Sequence, residues 1–200
     1  MGNNRGVSAP DSATSLRERK KIQTRTAIRR AAFELFSQQG YADTTIEQIA
    51  AAADVSPRTF YRYFGVKEAV LISDRHIGPI VDAFAKAPAD LPIIAAYRHA
   101  VAEVFGGLTP AERDETIAGE RLMYQVPEAR GLVYTEYVRL IGMIADALVH
   151  RPDAPSDPLE RRVIAGAIVG VLISASHETP LPEESLAASL TILEGKLSVL

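Results

Sequence analysis

The chain has 200 residues, a formal net charge of −3 and no cysteine. That length gives one or two domains a real core, and the missing cysteine excludes a disulfide scaffold, a thiolate metal site and a cysteine nucleophile, in keeping with a reducing cytoplasm. The charge is unevenly divided: residues 1–67 carry 11 Lys and Arg against 6 Asp and Glu, a net of +5, whereas residues 68–200 carry 11 against 19, a net of −8.

In chain order, residues 1–14 are small, polar and unpatterned, which predicts a disordered tail and no secretory signal. A helix is expected from Ser15 to Gln39, with Ile28, Ala32, Leu35 and Phe36 as its buried stripe and Gly40 as its stop. The cations Arg17, Arg19, Lys20, Lys21 and Arg25 at its start suit either DNA phosphates or a solvated first turn. Thr44 and Glu47 have capping-box spacing and open a short second helix, with Ile46, Ile49, Ala50 and Ala53 on its inner face. Asp54 and Val55 form a turn. Ser56 followed by Pro57 starts a third helix, because serine caps and proline at the first position gives up an amide that has no partner. Phe60 and Phe64, four apart, turn inward. Arg58 and Arg62 then share the outward face, with Thr59 and Tyr63 beside them, and Gly65 ends the helix. Two short helices at a tight turn, with arginines exposed on the second, form a helix-turn-helix, the motif that places one helix in the DNA major groove. The motif lies in the basic third of the chain, where phosphates would be neutralised.

Lys67 to Lys86 is expected as one helix kinked at Gly78-Pro79, with Val70, Leu71, Ile77, Val81 and Phe84 inside. Residues 88–92 connect it to a helix from Ile93 to Phe105. Thr109, Pro110 and Glu112 start another, to Gln125. Pro127 opens a long one with a stripe of Val133, Tyr137, Leu140, Ile141, Ile144 and Leu148. After a proline-rich loop at 151–158, Asp157, Pro158 and Glu160 cap a helix to Glu178, and a last helix follows Pro182. The apolar run Val163 to Ala175 is shorter than the about 20 residues that a membrane span needs. No strand alternation, catalytic motif or metal-ligand spacing stands out, and His76, His99, His150 and His177 are scattered. No enzyme activity, cofactor or metal is expected. Carboxylates read as solvated outer faces.

The segments TAIRRAAFELFSQQGY, TTIEQIAAAADVS and PRTFYRYFGVKEAVL, over about residues 17–70, together resemble the DNA-binding domain of the tetracycline-repressor-like (TetR) family of bacterial transcription regulators. The resemblance implies an all-α fold of about nine helices: a three-helix DNA-binding domain, here residues 15–66, and a larger helical domain, here 67–200, for ligand binding and dimerisation. It implies that Thr44 and Thr45 cap the second helix next to the DNA backbone, and that Arg58 and Thr59 face base edges. Tyr61 and Tyr63 would touch phosphate or sugar, and Lys67 a phosphate, with Arg62 on the same outward face. After Gly65 the family often carries a small polar residue, where this chain has Val66.

The helix at 163–176 is apolar on nearly every side, and the last helix carries one apolar face. Val163, Ile164, Ala167 and Val171 with Leu186, Leu190, Leu193 and Leu197 are expected to form a four-helix bundle between two subunits, as such proteins dimerise, or else an internal core. A dimer would read a palindromic operator with two helices about 34–36 Å apart. The middle helices would enclose an effector pocket, with Tyr97, Phe105, Arg121, Tyr124 and Tyr137 as its candidate lining, and His99, Met123, Tyr134 and Met143 as further positions. Arg121 would pair with an anionic effector or with Glu103 or Glu120. The segment from Arg121 to Arg139 also resembles a subgroup associated with acyl-CoA-type ligands. The resemblance thus implies a cytoplasmic, homodimeric repressor released by a small apolar or amphipathic effector; the alternative is the same fold without a ligand, controlled by a protein partner or by abundance.

Overall fold

The computed structural model describes residues 12–72, 76–176 and 183–197, and these are helical or connecting throughout. The chain divides between Val70 and Leu71 into two compact units.

The first unit contains α1 (Ser12–Gln39), α2 (Ile46–Ala52) and α3 (Pro57–Phe64), followed by a 3₁₀ helix, Lys67–Leu71. α1 begins three residues before the expected Ser15, so the end of the expected tail is helical, and the rest of that tail lies outside the described residues. Ile28, Ala31, Ala32, Phe36, Ile49, Ala50, Phe60 and Val70 are buried. The alanines of α2 leave room for close crossings, and α2 packs on both α1 and α3.

The capping box at α2 is shifted by one residue from the expected one. Thr45 is the N-cap: its hydroxyl accepts from the Gln48 amide at 3.2 Å, and the Gln48 side chain accepts from the Thr45 amide at 2.8 Å. Thr44 is instead buried, and its hydroxyl donates to the Gly40 carbonyl at 2.7 Å. Gly40, at φ 86°, turns the chain out of α1. Asp54, at φ 54°, makes the sharp turn between α2 and α3. There the Asp54 and Val55 amides close α2 on the carbonyls of Ala51 and Ala50.

The second unit holds α4 (Ile77–Lys86), α5 (Ile93–Gly106), α6 (Pro110–Gln125), α7 (Pro127–Leu148), α8 (Pro158–Ser176) and α9 (Glu183–Leu197). The single kinked helix expected over 67–86 is not formed. The chain breaks after the 3₁₀ helix, and Gly78-Pro79 falls in the first turn of α4, where proline's missing amide costs nothing. α6 starts with the expected capping box of Thr109 and Glu112. Asp157 accepts from the Leu159 amide at 2.9 Å at the start of α8. The stretch 177–182, including the expected helix end at Glu178, lies outside the described residues.

α4, α5, α7, α8 and α9 share one core, centred on Phe84, Ala96, Ala100, Ile144, Leu148, Ile168 and Leu190. Arg151, in the connection from α7 to α8, ties that connection to the end of α4 and to the connection from α4 to α5 from inside the core. Its guanidinium donates to the carbonyls of Leu91 at 2.7 Å, Ala87 at 3.3 Å and Phe84 at 3.4 Å, and pairs with Asp153 at 3.0 Å.

Candidate functional site

α3 is a short helix made stiff at both ends. Ser56 caps it through the Thr59 amide at 3.1 Å, with Pro57 in the first turn, and Gly65 at φ 76° closes it. Its apolar face is anchored by the fully buried Phe60, whose ring lies 5.5 Å from that of Phe64. The Arg25 guanidinium sits 4.9 Å above the Phe64 ring. With that face fixed, Arg58, Tyr61 and Arg62 are exposed. Arg62 rests 5.2 Å over the half-buried Tyr63 ring. Thr59 is half-buried and shares a 3.0 Å hydrogen bond with the Ser56 hydroxyl. Two guanidiniums and a phenol on a helix of eight residues make a rigid, donor-rich surface suited to base edges and phosphates.

Of the residues expected beside the DNA backbone, Thr45 is exposed and Thr44 is only 1% exposed. The Thr44 side chain therefore serves the α1–α2 turn, and its placement next to DNA is corrected. Lys67 also has an inward role. Its ammonium donates to the carbonyls of Tyr41 at 2.8 Å and Thr44 at 2.9 Å and lies 4.1 Å over the Tyr41 ring, leaving one N–H for another partner.

In the second unit a cavity of about 130 Å³ opens among α4, α5, α6 and α7, with Leu172 of α8 and Leu186 of α9 completing it. Tyr97, Phe105, Tyr124 and Tyr137 line it, as does Met123. The Tyr124 and Tyr137 hydroxyls share a 2.8 Å hydrogen bond. Tyr97 is buried edge-on against Phe84, and burial pushes its phenol well above the ordinary tyrosine range. Arg121 is exposed and not part of the lining, which corrects its expected place there. His99 is exposed, 4.0 Å from Glu103, and Tyr134 is exposed on α7. Met143 packs against the core rather than the cavity.

Three polar lining residues escaped the sequence reading: His76, Glu120 and Glu136. His76 is buried, with Nε2 3.2 Å from the Thr116 hydroxyl and its ring 5.3 Å from that of Phe105. Glu136 accepts from Arg139 at 2.8 Å. Both glutamates sit on helices whose carboxylates look like solvated faces in one dimension. The buried Gly119 beside Glu120 was the one local sign that this face meets a neighbour.

The residues expected between subunits separate into two groups. Leu186 and Leu190 are buried in the chain's own core, and Ile164, Val171 and Leu193 pack against that core from its edge. These two leucines are thus internal, because α9 lies on α5, where Arg98 donates to Thr191 at 2.6 Å and Glu194 at 3.1 Å. Val163 is 62% exposed and Ala167 half-buried, and the side chain of Leu197 is outside the described residues. Among the described residues, the large apolar groups left in the open on this pair of helices are Leu159, Val163 and Ile173 on α8 and Ile192 on α9. Among the described residues, no group of three or more His, Asp or Glu is placed to hold a metal, and no helix is long and apolar enough to cross a membrane.

Residues 28–73 match the family described as bacterial regulatory proteins, tetR family, and residues 91–200 match the MftR C-terminal domain. The chain is 51% identical over 69 residues to the HTH-type transcriptional regulator TcmR of Streptomyces glaucescens, which covers 34% of this chain and 30% of that protein. It is 26% identical over 171 residues, 84% of this chain and 85% of the other, to MftR of Mycobacterium tuberculosis, whose name ties it to regulation of mycofactocin biosynthesis. The crystal structure of a TetR-family transcriptional regulator from Mesorhizobium loti shares the fold, with a TM-score of 0.52 at 19% identity over 90% of this chain and 97% of that one. With one model matched over residues 28–73 and the other over 91–200, more than half of the chain, the chain belongs to the TetR family of bacterial DNA-binding transcriptional regulators, and its C-terminal domain is of the MftR type.

Proposed function

We propose that this protein is a ligand-responsive repressor that binds a palindromic operator as a homodimer in the cytoplasm and leaves it when a small effector fills the C-terminal cavity. The observation that supports DNA reading is the exposure of Arg58, Tyr61 and Arg62 on a helix held by the buried Phe60. Thr59 and Tyr63 complete that surface, and Thr45 presents the α2 N-terminus to a phosphate. One such helix reads only a few base pairs, so two copies are needed for a specific site. The open α8–α9 face of Leu159, Val163, Ile173 and Ile192 is the surface we assign to the second copy. The about 130 Å³ cavity favours an effector over a filled, ligand-free core. The effector acts through its preference between two packings of the C-terminal helices.

The test is selection of a binding sequence from random duplexes, followed by fluorescence anisotropy on the recovered site and on its half-site. A two-fold symmetric sequence bound at least about tenfold more tightly than its half is expected. Recovery of no common sequence sinks the reading.

A further inference from the structure

The first half of α1 stands clear of the core of its unit. Every residue from Leu16 to Gln23 whose side chain is described is exposed, and none of the described side chains before Ile28 is buried. Residues 12–25 carry five Lys and Arg against one Glu. This half also lies ahead of residue 28, where the family match begins.

The cations are ordered. At about 100° per residue, Arg17, Lys20, Lys21 and Arg25 fall on one stripe. That stripe continues the face on which Ile28, Ala31, Ala32 and Phe36 are buried. One side of one helix is thus apolar where it packs and cationic where it runs on. Arg25 marks the change, with its guanidinium over the ring of Phe64, the last residue of α3. Arg17 lies about 12 Å further out along the axis. The stripe therefore starts beside the C-terminal end of α3 and leads away from it.

Like charges three and four residues apart repel along a helix, and a polyanion laid on the stripe relieves that repulsion. A lipid surface fits poorly. The exposed apolar groups Leu16 and Ile22 are six residues, about 120°, apart, so they form no common apolar face. A DNA duplex fits, because one seated on α3 continues past the end of that helix and offers a phosphate about every 1.7 Å of its axis.

We propose that Arg17, Lys20 and Lys21 on α1 form a second DNA contact, which holds the phosphate backbone flanking the base pairs read by α3. This contact rests on α3 being the reading helix. It adds affinity and no sequence preference, since phosphates carry no sequence information.

Fluorescence anisotropy of the full chain over a series of salt concentrations tests it, on the selected site with its flanks and on a random duplex. R17Q/K20Q is expected to lower the slope of log affinity against log salt on both duplexes, by about 0.9 for each cation removed and so about 1.8 for each head bound. R19Q, whose side chain leaves the opposite side of the helix, is expected to stay within about 0.3 of the parent slope. Trimming the flanks from the selected site is expected to abolish the difference between parent and R17Q/K20Q. An unchanged slope in R17Q/K20Q overturns the proposal. So does an equal fall per cation in R19Q, which makes the effect one of general charge. An unchanged slope on DNA together with lost binding to phosphatidylglycerol vesicles assigns the stripe to a membrane instead and also overturns it. A slope that falls as expected in a parent without sequence preference defeats α3 as the reading helix and not this contact. Sequence preference with an unchanged slope does the reverse.

Discussion

Asp54 shows how much of the reading head depends on single backbone angles. At φ 54° it occupies a region that aspartate tolerates and β-branched residues do not. Asp54→Val is expected to lower stability by about 1–2 kcal/mol, whereas Asp54→Gly stays within about 0.5 kcal/mol of the parent; urea unfolding of both variants checks the difference. On α3, Arg62→Ala and Thr59→Ala should weaken the specific site by about 1–3 kcal/mol while non-specific binding changes little. An unaltered sequence preference in both would remove them from base reading. Lys67 belongs to another class, because its ammonium holds the carbonyls of Tyr41 and Thr44. Lys67→Met is expected to lower Tm and to weaken all DNA sequences alike, through the geometry of the α1–α2 turn. Thr44 and Thr45 show where residue-level reading reaches its end. Thr44 with Glu47 and Thr45 with Gln48 both satisfy the capping-box spacing, so the local sequence is degenerate. The burial of Thr44 against Gly40 selects the second pair, and that choice is tertiary.

At the scale of the element, the helices that carry their own start and stop signals were legible. Ser56-Pro57 with Gly65 bounds α3, and Thr109-Pro110 with Glu112 opens α6. Gly78-Pro79 was ambiguous, since the same pair can break a helix or lie in its first turn, and the difference depends on where the preceding helix ends. The apolar stripe of α9 was also legible, but a stripe states that a face is covered and not by what. Here α5 of the same chain covers Leu186 and Leu190. The inward turn of Glu120 and Glu136 could not be read, because the pattern on α6 and α7 is shared between core, cavity and solvent. In the sequence Arg151 is only the first residue of a proline-rich loop, yet it is buried and bonded to three carbonyls and to Asp153. Arg151→Met removes those bonds, leaves the Phe84 carbonyl only the Ala87 amide, and should cost roughly 3 kcal/mol. For a chain of this length that is a fall in Tm of roughly 6–12 °C, measurable by calorimetry. Unchanged Tm would show that water replaces the guanidinium without loss.

For the molecule as a whole, the division of charge matches the division of labour: the basic third carries α3, and the acidic remainder carries the cavity and the open α8–α9 face. Glutamate at both Val163 and Ile192 is expected to give a monomer by sedimentation, with a folded helical spectrum and operator affinity reduced to that of a single head. A V163E/I192E variant that remains dimeric would move the interface elsewhere. α9 has a further consequence, since it is one packed rod with two working sides. Leu186 touches the cavity, Ile192 points outward about 9 Å further along the axis, and Arg98 grips the rod between and beyond them at Thr191 and Glu194. On the proposed dimer, a guest that displaces Leu186 is expected to tilt the seam between subunits. Thermodynamic reciprocity then fixes the size of the return effect: whatever factor the guest imposes on self-association, self-association imposes on the guest.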